Sequence, residues 1–228
     1  MSSKKIIVAL DGSNLTKIKK IVNDLKSEVH SFKIGYEFFF NHGILGYNQI
    51  KKISSKIFLD LKLHDIPNTV EKGIVAIEKL KPILTTIHIS GGNEMMRVST
   101  LNRKYTKILG VSILTSLNRQ QIRKFYNEEN IEILIKQFSK EAKKQKLDGI
   151  VCSPKEIKVV RKVVGKNFLI VTPGIRPQKL KKINDDQKRV LTPSQAIKMG
   201  ADLLVIGRPI TLSHNPIKTL KDINNSLG

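Results

Sequence analysis

Phe58-Leu59-Asp60-Leu61-Lys62-Leu63-His64-Asp65-Ile66-Pro67-Asn68-Thr69 is the stretch on which the fold turns. Its first half, Ile57 to Lys62, reads as a strand. Residues two apart in a strand point to the same side, so Asp60 and Lys62 share one face while Leu59 and Leu61 pack on the other. Beyond it the spacing becomes helical, from Thr69 to Leu80. A strand that ends in charged groups and passes directly to a helix is one unit of a parallel α/β protein.

Outward from this unit the pattern repeats. Short apolar runs predict further strands at Ile6 to Asp11, Phe32 to Gly35, Thr86 to Ser90, Ile108 to Ser112, Gly149 to Cys152, Leu169 to Thr172 and Leu203 to Gly207. Amphipathic stretches between them include Thr16 to Lys26, Ile131 to Gln145, Pro154 to Val164 and Pro193 to Met199. Eight repeats of strand then helix favour a closed (β/α)8 TIM barrel, an α/β fold, over an open doubly wound sheet, which counting alone leaves as the lesser alternative. The polar residues also favour the barrel. Asp11, Lys62, Ser90, Thr115, Thr172 and Arg208 fall at or just past the C-terminal ends of the strands, where barrel enzymes place their chemistry.

A length of 228 residues suits one barrel, and no linker rich in Pro, Gly or Ser divides it, so residues 1–228 are read as a single domain. The segment from Gly174 to Leu191 is long for a βα connection and lacks an apolar stripe; a mobile lid and an exposed variable loop both fit it.

A formal net charge of +22 raises the question of nucleic acid. The lysines, however, are dispersed over segments read as outer helices, among them Lys17, Lys19, Lys20, Lys26, Lys143, Lys144 and Lys146. No zinc-finger spacing, RNP-like aromatic motif or basic zipper accompanies them, so a non-catalytic nucleic-acid-binding barrel is the minor alternative. The apolar run Ile6 to Leu10 is too short for a signal peptide, and no run approaches the roughly 18 residues of a membrane span. A single cysteine, Cys152, fits a reducing compartment, and the expectation is a soluble cytoplasmic protein.

An inward carboxylate beside an inward ammonium is costly to desolvate and contributes little as a lone buried pair. Asp65 lies three residues past Lys62, and Lys33, in Phe32-Lys33-Ile34-Gly35, ends the preceding strand. Lys33, Asp60, Lys62 and Asp65 then make an array of alternating charge, in which each group keeps its neighbours ionised and the field is set before any substrate arrives.

At this point Asp60-Leu-Lys-Leu-His-Asp-Ile-Pro-Asn-Thr69 resembles the signature of the orotidine 5'-phosphate decarboxylase family, in its short bacterial type. Ala9-Leu10-Asp11, Phe32 to Gly35, His88-Ile89-Ser90-Gly91-Gly92, Leu114-Thr115-Ser116, Val171 to Arg176, Asp186-Gln187 and Val205-Ile206-Gly207-Arg208 extend the resemblance to the last strand. It implies decarboxylation of orotidine 5'-phosphate to UMP, the last step of de novo pyrimidine nucleotide synthesis, with no metal or organic cofactor. It also implies that Lys33, Asp60, Lys62 and Asp65 are the catalytic tetrad, with Asp65 and Thr69 reaching a neighbouring subunit's site in a homodimer. Asp11 is implied at the ribose hydroxyls, Thr115 near the pyrimidine, Lys33 in contact with substrate, and Arg176, Gln187, Gly207 and Arg208 at the phosphate. The last set has a physical basis of its own, since a Gly-Arg pair after the eighth strand, with Pro209 at a helix start, suits phosphate binding.

Ile89 departs from the family pattern, where a smaller residue is usual, and touches only packing near the barrel mouth. A metal-dependent sugar-phosphate decarboxylase or hexulose-phosphate synthase is the rival within the superfamily; those enzymes resemble this chain but carry a magnesium-binding Glu where it has Lys33. Other residues have plainer readings. Taken singly, Asp11 is as well a helix cap; His64 and His88 lack a partner at ligand spacing and read as structural; Cys152, Met95 and Met96 read as core, and Phe38-Phe39-Phe40 as core or subunit interface.

Overall fold

The computed structural model describes residues 4–177 and 191–227. Eight strands, β1 (Ile6–Ala9), β2 (Ser31–Ile34), β3 (Ile57–Leu63), β4 (Leu84–His88), β5 (Lys107–Val111), β6 (Gly149–Val151), β7 (Leu169–Thr172) and β8 (Leu203–Ile206), alternate with helices. All pair in parallel in sequence order, and β8 closes on β1 through Ile6↔Leu204, Ile7↔Val205 and Val8↔Ile206. The expected barrel is therefore the observed one, and the open sheet is excluded.

The helices are α1 (Leu15–Leu25), α2 (Tyr36–Ile53), α3 (Pro67–Leu80), α4 (Gly92–Leu101), α5 (Arg119–Tyr126), α6 (Ile131–Lys144), α7 (Ile157–Val164), α8 (Pro193–Lys198), α9 (Arg208–Thr211) and α10 (Pro216–Asn225). Their starts are written in the sequence. Asn14, Asn118 and Asn130 accept hydrogen bonds from first-turn N–H groups, Thr192 forms a capping box with Gln195, and Pro67, Pro193, Pro209 and Pro216 stand in first turns, where a missing N–H costs nothing.

Alternation along each strand divides the core into two layers. Ile7, Ala9, Phe58, Leu109, Val171 and Val205 fill the barrel, whereas Val8, Phe32, Ile34, Leu59, Ile108 and Ile206 face the helices, where most of the apolar burial occurs. At the N-terminal end of the strands, Asp148 Oδ2 accepts from the Ile108 N–H at 2.8 Å and Asp202 Oδ2 from the Ile170 N–H at 2.7 Å. Arg103 and Arg161 pair with these carboxylates at 2.6 Å, so that end is a stapled base and the opposite end is left for chemistry.

Several boundaries differ from expectation. The fourth strand begins two residues earlier than predicted, and Ile89–Gly91 forms a 3-10 turn, which leaves Ser90 exposed on that turn and outside the strand. The strand read as regular between Ile57 and Lys62 is also bulged: β3 pairs with β4 through Leu59↔Thr85 and then Leu63↔Ile87. Most of the segment from Gly174 to Leu191 lies outside the described residues, and so does Gln187.

Candidate active site

Alternation from Phe58, inside the barrel, puts Asp60 inside as well; on β2 the same rule turns Ser31 and Lys33 inward, opposite to Phe32 and Ile34. Asp60 is 7% exposed and forms the centre of the cluster. Its Oδ2 lies 2.9 Å from Lys62 Nζ and 3.5 Å from Lys33 Nζ, while its Oδ1 accepts a 2.8 Å hydrogen bond from the Thr86 hydroxyl. Lys33 Nζ also lies 3.7 Å from Asp11 Oδ1, which links β1, β2 and β3 in one chain of alternating charge.

Burial would push the Asp60 carboxyl up, but the Lys33 and Lys62 ammonium groups and the hydrogen bonds from Lys62 and Thr86 outweigh it and hold the group below the ordinary carboxylate range. The result is a desolvated carboxylate that stays ionised at neutral pH. Lys62 reaches it from a left-handed backbone conformation, φ 43°, which costs a non-glycine residue roughly 1–2 kcal/mol. Its N–H is held by Thr86 Oγ1 at 2.9 Å, and its ammonium lies 5.7 Å from the centroid of the Tyr36 ring. Tyr36 in turn donates its hydroxyl to the Leu61 carbonyl at 3.0 Å, tying the start of α2 to the bulged strand. Gly35 permits this approach, since a Cβ there would stand 2.9 Å from Lys33 Nζ.

Asp11, Lys33, Asp60 and Lys62 are thus brought together, whereas Asp65 is not part of the cluster within one chain. It is exposed at the entry to α3, accepts a 2.7 Å hydrogen bond from the Ile66 N–H, and makes no ion pair among the described residues. Thr69, in the first turn of α3, is likewise exposed. Thr115 lies half-buried on the loop after β5, Arg176 follows β7, and Gly207 and Arg208 follow β8, all toward the C-terminal end of the barrel. Gly207 sits against the cluster: a Cβ added to it would be 3.5 Å from Asp11 Oδ2.

Sequence reasoning missed Thr86 and Tyr36. Thr86 reads as one more β-branched strand residue, and only the bulge gives its hydroxyl two tasks. His64 and His88, read as without partners, pack ring to ring at 5.1 Å, with His88 half-buried and His64 exposed. Burial first, then His64 and Lys62, lower the pKa of His88 against the opposing pull of Asp60, so its ring is neutral at neutral pH. Cys152 is buried, as expected of a core residue.

The chain is similar to known proteins over nearly its whole length. The family described as "Orotidine 5'-phosphate decarboxylase / HUMPS family" matches residues 4–223. A protein of Wolbachia pipientis subsp. Culex pipiens named orotidine 5'-phosphate decarboxylase is 42% identical over 224 residues, covering 97% of this chain and 98% of the relative. One of the same name from Wigglesworthia glossinidia brevipalpis is 43% identical over 234 residues, covering 100% of this chain and 99% of the relative. The crystal structure of orotidine 5'-phosphate decarboxylase from Lactobacillus acidophilus superposes with a TM-score of 0.84 at 34% identity, covering 99% of both chains. With its barrel, its charge cluster and these full-length relatives, the chain belongs to the orotidine 5'-phosphate decarboxylase / HUMPS family.

Proposed function

We propose that this protein converts orotidine 5'-phosphate to UMP and CO2, the closing step of pyrimidine nucleotide synthesis, as a cytoplasmic homodimer that uses no cofactor. The observation that carries the reading is the buried Asp60 carboxylate held ionised 2.9 Å from the Lys62 ammonium. Breaking the bond from pyrimidine C6 to its carboxylate leaves the electron pair on C6 as CO2 departs. Asp60, fixed beside that carboxylate, disfavours it in the bound substrate, and Lys62 stabilises the developing carbanion and delivers a proton to C6. The enzyme's contribution is therefore electrostatic and organised before binding, with Asp60 unable to turn away because three donors hold it.

Asp11 contacts the ribose hydroxyls, Thr115 the pyrimidine, and Arg176, Gln187, Gly207 and Arg208 the phosphate. The remote phosphate contacts supply binding energy that offsets the unfavourable placement of two carboxylates side by side. Asp65 and Thr69 complete the site of the partner subunit. Asp65 is exposed without an ion pair among the described residues, the next residue, Ile66, is 66% exposed, and near Lys62 the stacked Tyr36 and Phe40 rings are 47% and 77% exposed, apolar surface that a second subunit would cover. Against metal-dependent sugar-phosphate chemistry stands Lys33, whose ammonium lies between the Asp11 and Asp60 carboxylates and repels a divalent cation. Purified protein given orotidine 5'-phosphate with a chelator present should release CO2 and UMP in equal amounts; unchanged nucleotide, or turnover abolished by the chelator, contradicts the proposal.

A further inference from the structure

We infer that Thr86 is a positioning residue for decarboxylation, its hydroxyl locking the Asp60 carboxylate and the Lys62 backbone into the geometry that presents Lys62 Nζ to the substrate; this rests on the decarboxylase reading. Between the paired residues Leu59↔Thr85 and Leu63↔Ile87, three residues of β3 stand opposite Thr86 alone. Such a bulge takes backbone groups out of the sheet ladder, and a buried N–H left without an acceptor is strongly disfavoured. Thr86, fully buried, meets both needs of the bulge with one hydroxyl: it accepts from the Lys62 N–H at 2.9 Å and donates to Asp60 Oδ1 at 2.8 Å. With Oδ1 occupied, Oδ2 is left facing Lys62 Nζ and Lys33 Nζ.

The left-handed conformation of Lys62, φ 43°, is disfavoured for a residue with a side chain, so it persists only where neighbours fix it. Among the described residues, Thr86 is the side chain that hydrogen-bonds that backbone. Thr85 provides the contrast on the adjacent position, because its buried hydroxyl donates to the Leu59 carbonyl at 2.9 Å, a backbone group outside the charge cluster. Thr86 also belongs to the set of donors that keep the Asp60 carboxyl ionised, so its removal shifts the acid side of the activity profile upward in pH.

The test compares wild type with T86V, T86S and T85V for kcat, KM, pH dependence and thermal stability. T86V should lose roughly tenfold to a hundredfold in kcat, with KM within about threefold, and move the acid limb of kcat/KM to higher pH. T86S, which keeps the hydroxyl and loses the methyl, should recover most of the loss and the original acid limb. T86V turning over like wild type, T86S losing as much as T86V, or T85V losing as much as T86V each overturns the assignment. If T86V does not fold, T86C replaces it, nearly the size of T86S but a weak donor; equal kcat in T86C and T86S overturns it too. Absence of turnover by wild type itself sinks the decarboxylase reading, whereas wild-type turnover with an unaffected T86V removes Thr86 alone.

Discussion

At Asp60 two effects of opposite sign meet, and the magnitudes decide which wins. Burial favours the neutral acid, while two ammonium groups within 3.5 Å and the Thr86 hydroxyl favour the anion, and the anion prevails. A carboxyl depressed in the folded state stabilises the fold above the ordinary carboxylate range, and that contribution is lost as pH falls through its lowered value. The pair Asp60 and Lys62 was legible from spacing alone, since residues two apart share a strand face. The route by which Lys62 arrives was not: a bulge and a left-handed φ are decided by what β4 offers, which no local pattern records. Lys62→Ala should lower kcat by about a thousandfold or more while UMP binding, measured by calorimetry, changes by less than about tenfold. A variant that keeps a tenth of the wild-type rate removes Lys62 from the chemistry.

Among the elements, all eight strands were legible because a parallel strand buried on both faces is a short β-branched run with few alternatives. Helices were read where one face is polar, as in α1, α3 and α6, and passed over in α2, where Phe38 and Tyr47 are buried but Phe40 and Leu45 are exposed, and Gly43, φ 55°, breaks the helical run. In α5 a single residue, Ile122, is buried, which leaves little apolar stripe to read. Two strand ends also carry a pH dependence. His30, just before β2, is lowered by burial, Lys56 and Lys107, and His88, ending β4, by burial, His64 and Lys62. A histidine depressed in the fold binds its proton more readily when unfolded, so stability is complete above the ordinary value of 6.5 and declines as pH falls below it. The melting temperature should drop by a few degrees between about pH 7.5 and 5.5, and the H30N/H88N double variant should flatten that slope. An unchanged slope in the double variant assigns the decline elsewhere.

For the molecule as a whole, closure does what no single element does: pairing β8 with β1 brings Gly207 against Asp11, residues at opposite ends of the chain, and so joins the proposed phosphate end to the charge cluster. Closure was legible from the eight repeats of strand then helix together with the placement of polar residues at strand ends. The basic surface, by contrast, is a property of the whole that predicts no site, because its lysines spread over the outer helices. No described helix is long and apolar enough to cross a membrane. Asp65, exposed and without an ion pair among the described residues, is the residue on which the proposed assembly of the charge array from two chains turns. Mixing subunits tests it most directly. Lys62→Ala and Asp65→Ala dimers, each inactive alone, are unfolded and refolded together in equal amounts. Each mixed dimer then holds one site with both native residues, and random pairing restores about a quarter of wild-type decarboxylation. Activity no greater than that of the separate variants would mean that Asp65 serves its own chain's site or none, and would contradict the shared array.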